Sequence, residues 1–86
     1  MTKLENKLIE LGYKALSGYN GEIFFTKFPT KYTNITIATK NGKYLRSYYG
    51  PVARMMPKYN SNMQLTIDVL KNDLEELKQY DISDQW

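Results

Sequence analysis

The sequence predicts an α+β fold of two layers: an antiparallel sheet of three to four strands, with an N-terminal and a C-terminal helix packed on one face, in the order α-β-β-β-α. Three observations predict it. Apolar residues recur at helical spacing at both ends of the 86-residue chain. Strand formers alternate through its middle, and an Asn-Gly dipeptide separates two of the alternating runs. Two helices on one side of the sheet bury all three apolar surfaces and leave the other sheet face to water. Residues 1–86 read as a single domain, and a domain this short buries only a thin core.

The first helix is expected at about residues 2–12. Thr2 and Glu5 have the spacing of a capping box, Leu4, Leu8 and Leu11 form a stripe widened by Ile9, and Gly12 suits the left-handed residue that ends a helix. Residues 13–17 follow, with their status as a fourth strand open, and GYNG at 18–21 reads as a turn. EIFFTKF at 22–28 is a strand that Pro29 breaks or places at an edge. TNITIAT at 33–39 alternates, with Ile35 and Ile37 on one side and Asn34, Thr36 and Ala38 on the other. Asn41-Gly42 then turns the chain into KYLRSYY at 43–49.

Gly50-Pro51 is read as opening a single helical turn that Pro57 closes. Met55 and Met56 in this segment suit either adaptable protein contacts or plugging the end of a small core. Ser61 and Gln64 form a second capping box, starting a helix that runs to about Tyr80. Its stripe is Met63, Ile67, Leu70, Leu74 and Leu77, flanked by Leu65 and Val69. That stripe fits a coiled-coil seam, but the sheet needs a cover, so the intramolecular role is preferred. Residues 81–86, including Trp86, read as a frayed tail.

Composition excludes several chemistries. Cysteine and histidine are absent, which removes disulfides, thiolate and imidazole metal ligands, and the commonest general base. No carboxylate pair sits at a strand end or loop to act as acid and base, and no phosphate-cradling glycine motif occurs. Asp73, Glu75 and Glu76 lie at positions that point apart on a helix and read as a solvated face, not a cation site. No enzyme, cofactor or metal is therefore expected. No run approaches the ~20 apolar residues of a membrane span, and the N-terminus lacks a signal-peptide pattern. A cytoplasmic protein is the expectation.

Charge is unevenly spread. From Ile23 to Ile67 there is no acid and there are seven cations, Lys27, Lys31, Lys40, Lys43, Arg46, Arg54 and Lys58. From Asp68 onward six acids face only Lys71 and Lys78. Such asymmetry bears on partners.

The register of the Asn-Gly hairpin decides which side chains form the outer surface, because a slip of one residue inverts every one of them. A two-residue type I′ loop at 41–42 pairs Thr39 with Tyr44 and Ile37 with Arg46, setting a guanidinium among the isoleucines at high cost. A three-residue loop at 40–42 with Gly42 as the bulge pairs Thr39 with Lys43 and Ile37 with Leu45. The second is preferred on that cost. It sends Leu45 and Tyr49 inward and Tyr44, Arg46 and Tyr48 outward.

The predicted binding surface is centred on Tyr44, Arg46 and Tyr48. Lys40, Lys43, Arg54 and Lys58 surround it, with Tyr59 beside Lys58 just before the last helix, whose first amides favour anions. Tyrosine and arginine anchor protein interfaces, and they also stack on bases while lysines neutralise phosphates. Against this, tyrosine and threonine are good strand residues in their own right, and the protein's own acidic helix offsets the basic middle.

The opening KLENKLIELGYK and the ending NMQLTIDVLKNDLEELKQY resemble small accessory proteins of Gram-positive bacterial phages and prophages. Those begin with a short Leu/Glu/Lys helix ending in Leu-Gly-Tyr and finish with an acidic helix. The resemblance covers the two ends and carries over no functional residue. It implies a compact protein that binds and redirects or inhibits a host protein or protein–nucleic-acid complex, such as a CRISPR-type defence nuclease. Direct, sequence-independent binding of DNA or RNA is the alternative. No membrane partner is expected, and monomer and homodimer both remain open.

Overall fold

A computed structural model of the chain describes residues 2–52 and 63–80. Its order is α1 (Lys3–Glu10), β1 (Lys14–Ser17), β2 (Glu22–Thr30), β3 (Thr33–Lys40), β4 (Lys43–Pro51) and α2 (Met63–Leu77). The strands form one antiparallel meander in the order β1-β2-β3-β4. The fold is thus α+β with two end helices, and residues 14–17 do form a fourth strand.

α1 begins and ends as its sequence dictates. The Thr2 side chain accepts from the Glu5 amide while the Glu5 carboxylate accepts from the Thr2 amide at 2.7 Å, so two amides left over at the helix start are satisfied. At the other end Tyr13 N donates to Leu8 O and Gly12 N to Ile9 O, each at 3.0 Å. That pair of bonds is a Schellman cap, and it requires the left-handed Gly12, whose φ is +100°. The cap aims Tyr13 into the core beside Leu8.

The core lies between the helices and one sheet face. Leu4 and Leu8 from α1, Phe25 from β2, Ile35 and Ile37 from β3, and Leu70 and Leu77 from α2 are buried together with Tyr13. Each large apolar side chain taken fully from water contributes about 1.5–3 kcal/mol. The stripe of α2 is rotated from the expected one. Its buried positions are Thr66, Leu70, Asp73 and Leu77, whereas Met63, Ile67 and Leu74 are only half-buried. Two polar residues occupy the seam because each finds a partner there. The Thr66 hydroxyl donates to Thr33 Oγ1 at 2.7 Å, and Asp73 accepts from Tyr13 and Lys27. Reading Asp73 as part of a solvated face is therefore corrected.

Other expectations also change. β2 does not stop at Pro29, which lies on the edge of β2 beyond the end of β1, the other of the two expected outcomes. Its register shifts between Lys27 and Thr30, where Phe28 and Pro29 together face Asn34 of β3, a bulge that accommodates a residue with no amide hydrogen. Gly50 and Pro51 end β4, and the helical turn expected to follow them lies outside the described residues. The expected roles of Arg54, Met55, Met56, Pro57, Lys58, Tyr59 and Ser61, and of the 81–86 tail, lie outside the described residues. Among the described residues no helix is long and apolar enough to cross a membrane.

Candidate interaction face

The hairpin between β3 and β4 takes neither expected register whole, and the preferred three-residue loop with Gly42 as the bulge and Thr39 opposite Lys43 is corrected. Its loop has two residues, with Lys40 opposite Lys43 and Thr39 opposite Tyr44. Asn41 and Gly42 both have positive φ, 54° and 77°, as a type I′ turn demands. A side chain at residue 42 would also collide with Thr2, so this turn is seated on the N-cap of α1. The bulge falls one step later. Leu45 is the extra residue between the pairs Thr39–Tyr44 and Ala38–Arg46, and from there Ile37 faces Ser47 and Ile35 faces Tyr49.

The extra residue restores the outward direction of Arg46 and Tyr48. Two expectations are corrected by it. Tyr44 is on the helix side, half-buried against the core, and its hydroxyl donates to Ser47 Oγ at 3.2 Å. Leu45 is half-buried at the bulge instead of standing opposite Ile37. Tyr49 is on the helix side as expected, yet as part of an edge strand it stays 49% exposed.

Residues opposite one another in an antiparallel register share a face, so the open face can be assembled row by row. Glu22, Lys40 and Lys43 form the first row, and Leu16, Phe24, Ala38 and Arg46 the second. Lys14, Thr26, Thr36 and Tyr48 form the third, and Phe28, Asn34 and Gly50 lie beyond it. The face is apolar in its centre and cationic at its corners. Leu16, Phe28 and Tyr48 are exposed to 52%, 61% and 50%. Sequence reading missed Leu16, Phe24 and Phe28. The signal that finds them is the β2 alternation, in which Phe25 must go inward opposite Ile37 and thereby sends Phe24 and Phe28 outward.

One network organises this face. An Arg46 guanidinium nitrogen donates to Glu22 Oε1 at 2.9 Å, and Arg46 Nε donates to the Tyr48 hydroxyl. The guanidinium carbon also stands 5.7 Å from the centre of the Tyr48 ring. The Tyr48 hydrogen bond raises the Arg46 pKa above its ordinary value; burial opposes it, and the Glu22 charge and hydrogen bond add to the rise. The arm reaches from β4 to β2 across β3, and Ala38 beneath it is fully buried. Lys40 and Lys43 are exposed and face each other across the turn, an unfavourable like-charge pair that an anion relieves. Lys14, Lys40 and Lys43 have no ion-pair partner among the described residues.

A second network lies on the covered side. The Tyr13 hydroxyl donates to Asp73 Oδ2 at 2.8 Å, and Lys27 Nζ donates to the same oxygen at 2.9 Å. Lys27 Nζ stands 5.1 Å from the centre of the Tyr13 ring. Burial first, then the hydrogen bond and charge of Asp73, push the Tyr13 hydroxyl pKa well up. Lys27 is thus neutralised inside the fold and does not contribute to a basic surface. No group of three acidic, cysteine or histidine residues among the described ones is placed to hold a metal ion. Arg54, Lys58 and Tyr59 of the expected surface lie outside the described residues.

No family model, curated protein or solved structure matches the chain.

Proposed function

We propose that this chain is a non-enzymatic binding protein of phage or mobile-element type, which modulates or inhibits a host protein or nucleoprotein complex by occupying its surface with the open sheet face. One observation carries the reading: the side of the sheet away from α1 and α2 exposes Leu16, Phe28 and Tyr48 by half or more, in contiguous rows with Lys14, Lys40 and Lys43 at their margins. A solvated face of an antiparallel sheet is ordinarily polar, and apolar side chains clustered within a polar rim mark contact surfaces. The likeness of the two chain ends to phage accessory proteins supports the choice of a host target.

The alternative is direct, sequence-independent binding of DNA or RNA by the same face. It is the weaker reading. Arg46 is spent on Glu22 and Lys27 on Asp73, and aliphatic Leu16 offers no ring for a base to stack on.

Affinity capture from nuclease-treated extract of a Gram-positive host tests the reading, with Tyr48→Ala and Arg46→Ala as comparison baits. A protein held by the native chain and bound at least ~30-fold more weakly by Tyr48→Ala, the size of an interface anchor, supports it. Binding of purified DNA or RNA that weakens steeply with salt, with no protein retained, selects the alternative.

A further inference from the structure

β1 is much shorter than the strand it pairs with. Its first residue, Lys14, stands opposite Thr26, while β2 continues to Thr30. Just before β1 the chain turns away at Gly12. Beside this step is a groove of about 330 Å³, lined by Gly12, Lys14, Leu16, Thr26, Lys27 and Phe28. That volume is at the small end of ligand-sized sites.

The lining is specific in what it leaves unsatisfied. The Thr26 hydroxyl is 3.2 Å from that of Thr36, and the Lys27 ammonium is held by Asp73, so neither polar group demands a ligand. Leu16 and Phe28 are the two walls with apolar surface in water. Lys14 is the cation without an ion pair among the described residues. Glu22, the acid of the open face among the described residues, is committed to Arg46. A carboxylate approaching along this face therefore meets Lys14, Lys40 and Lys43 without an uncompensated acid among the described residues. Strand addition at the uncovered end of β2 is disfavoured, because Pro29 and the bulge interrupt that edge. Recognition here falls to side chains.

We propose that this groove is an anchor pocket for a bulky apolar side chain, such as Leu, Phe or Trp, carried by an acidic protein segment whose neighbouring carboxylate pairs with Lys14. This rests on the open face being the binding surface, and it names the chemistry of the partner at one end of that face. The apolar side chain fills the space between Leu16 and Phe28 and removes both from water. The carboxylate sets direction, since a cation or a neutral group at the same place gains nothing from Lys14.

Amide-resolved NMR titration of the full chain with phenylacetate, phenylacetamide and phenethylamine tests the pocket without knowledge of the partner. Phenylacetate is expected to shift the amides of Gly12, Lys14, Leu16, Thr26 and Phe28, with a Kd on the order of 1–10 mM for a ligand of this size. Phenylacetamide is expected to bind about 2–5-fold more weakly, the contribution of one exposed ion pair, and phenethylamine more weakly still. Lys14→Glu reverses the order of acid and amine, and Leu16→Ser weakens all three. Both positions are exposed on an edge strand, so the fold survives either change. Shifts absent from the groove, or equal for acid, amide and amine, overturn the proposal. So does a captured host protein that Lys14→Glu and Leu16→Ser retain at full affinity while Tyr48→Ala loses it, a result that leaves the open-face reading standing. If the native chain captures no protein, the open-face reading fails, and phenylacetate binding still decides the pocket.

Discussion

Two ion pairs of identical length tie distant parts of this molecule together from opposite sides of its sheet. Lys27–Asp73 joins β2 to α2 beneath the helices, and Arg46–Glu22 joins β4 to β2 on the open face, both at 2.9 Å. They differ in surroundings. The Asp73 side chain is 8% exposed and Lys27 21%, against 20% and 46% for Glu22 and Arg46. Where water is excluded, a charge that loses its partner cannot be solvated cheaply; where water has access, it can. The covered pair therefore fixes how the layers meet. The open pair shapes a surface: it holds Tyr48 in place and closes over Ala38 while leaving apolar side chains exposed around it.

The largest effect is expected from breaking the covered network at its hub. Asp73→Ala strands the Lys27 ammonium and the Tyr13 hydroxyl together. Loss of one partner of a buried pair costs about 3–5 kcal/mol, and the residual exposure of Lys27 places this case near the lower figure. In a domain with a total of about 5–15 kcal/mol, that is a large part of its stability, read directly from urea midpoints. Replacing all three partners together, Tyr13→Phe, Lys27→Met and Asp73→Leu, is expected to recover most of the loss, because apolar groups of similar volume leave nothing unpaired. A loss below about 1 kcal/mol for Asp73→Ala would show that the covered pair behaves like an exposed one.

A smaller effect, visible only in alkali, comes from Tyr13. Its pKa is raised in the fold by burial and by Asp73. The associated stability is fully present below the ordinary tyrosine value of about 10 and is lost as pH rises beyond it, because the unfolded chain gives up the proton first. The expected slope is about 1.4 kcal/mol per pH unit. Tyr13→Phe has no proton to lose, so unfolding free energies from urea titrations between pH 9 and 11.5 should fall less steeply for the variant, by nearly that slope once the pH is above about 10. Parallel curves would mean that water reaches the hydroxyl.

The covered network was illegible in the sequence for a plain reason. Tyr13 and Asp73 are 60 residues apart, and Lys27 and Asp73 46. No local pattern pairs them, and Asp73 beside Glu75 and Glu76 looks like any solvated helix face. Local chemistry, by contrast, was readable. The capping box of Thr2 and Glu5, the stop at Gly12, the alternation of β3 and the Asn-Gly turn each depend on neighbours a few residues away. The hairpin shows the boundary between the two cases. Asn41 and Gly42 choose a two-residue loop for their own backbone reasons, and the isoleucines several residues on exclude Arg46 for packing reasons. Neither demand yields, so the chain inserts Leu45 between them. The slack between turn and core leaves Arg46 and Tyr48 on the outer face, as packing requires, and brings Tyr44 to the helix side opposite Thr39, as the two-residue loop requires. The groove was hidden for a related reason: it depends on β1 ending short of β2, and strand length is poorly marked in a four-residue segment.

The smallest effect is expected from the open pair, and it sharpens the contrast. A double-mutant cycle of Glu22→Gln and Arg46→Ala should give a coupling no more than roughly a third of the Asp73→Ala loss, as exposed pairs do. It should fade in ~1 M salt, where the screening length shrinks to about 3 Å, while the Asp73→Ala loss persists. Single substitutions carry an additional consequence, since Arg46→Ala also removes the donor that holds the Tyr48 hydroxyl and the arm that covers Ala38. If the face is a contact surface, Glu22→Gln should leave folding nearly unchanged yet weaken partner capture, because Arg46 loses its anchor and Tyr48 its fixed orientation. A coupling as large and as salt-resistant as the covered one would instead make the Arg46–Glu22 arm a strut of the sheet, and the exposure of Tyr48 beside it a by-product of bracing three strands.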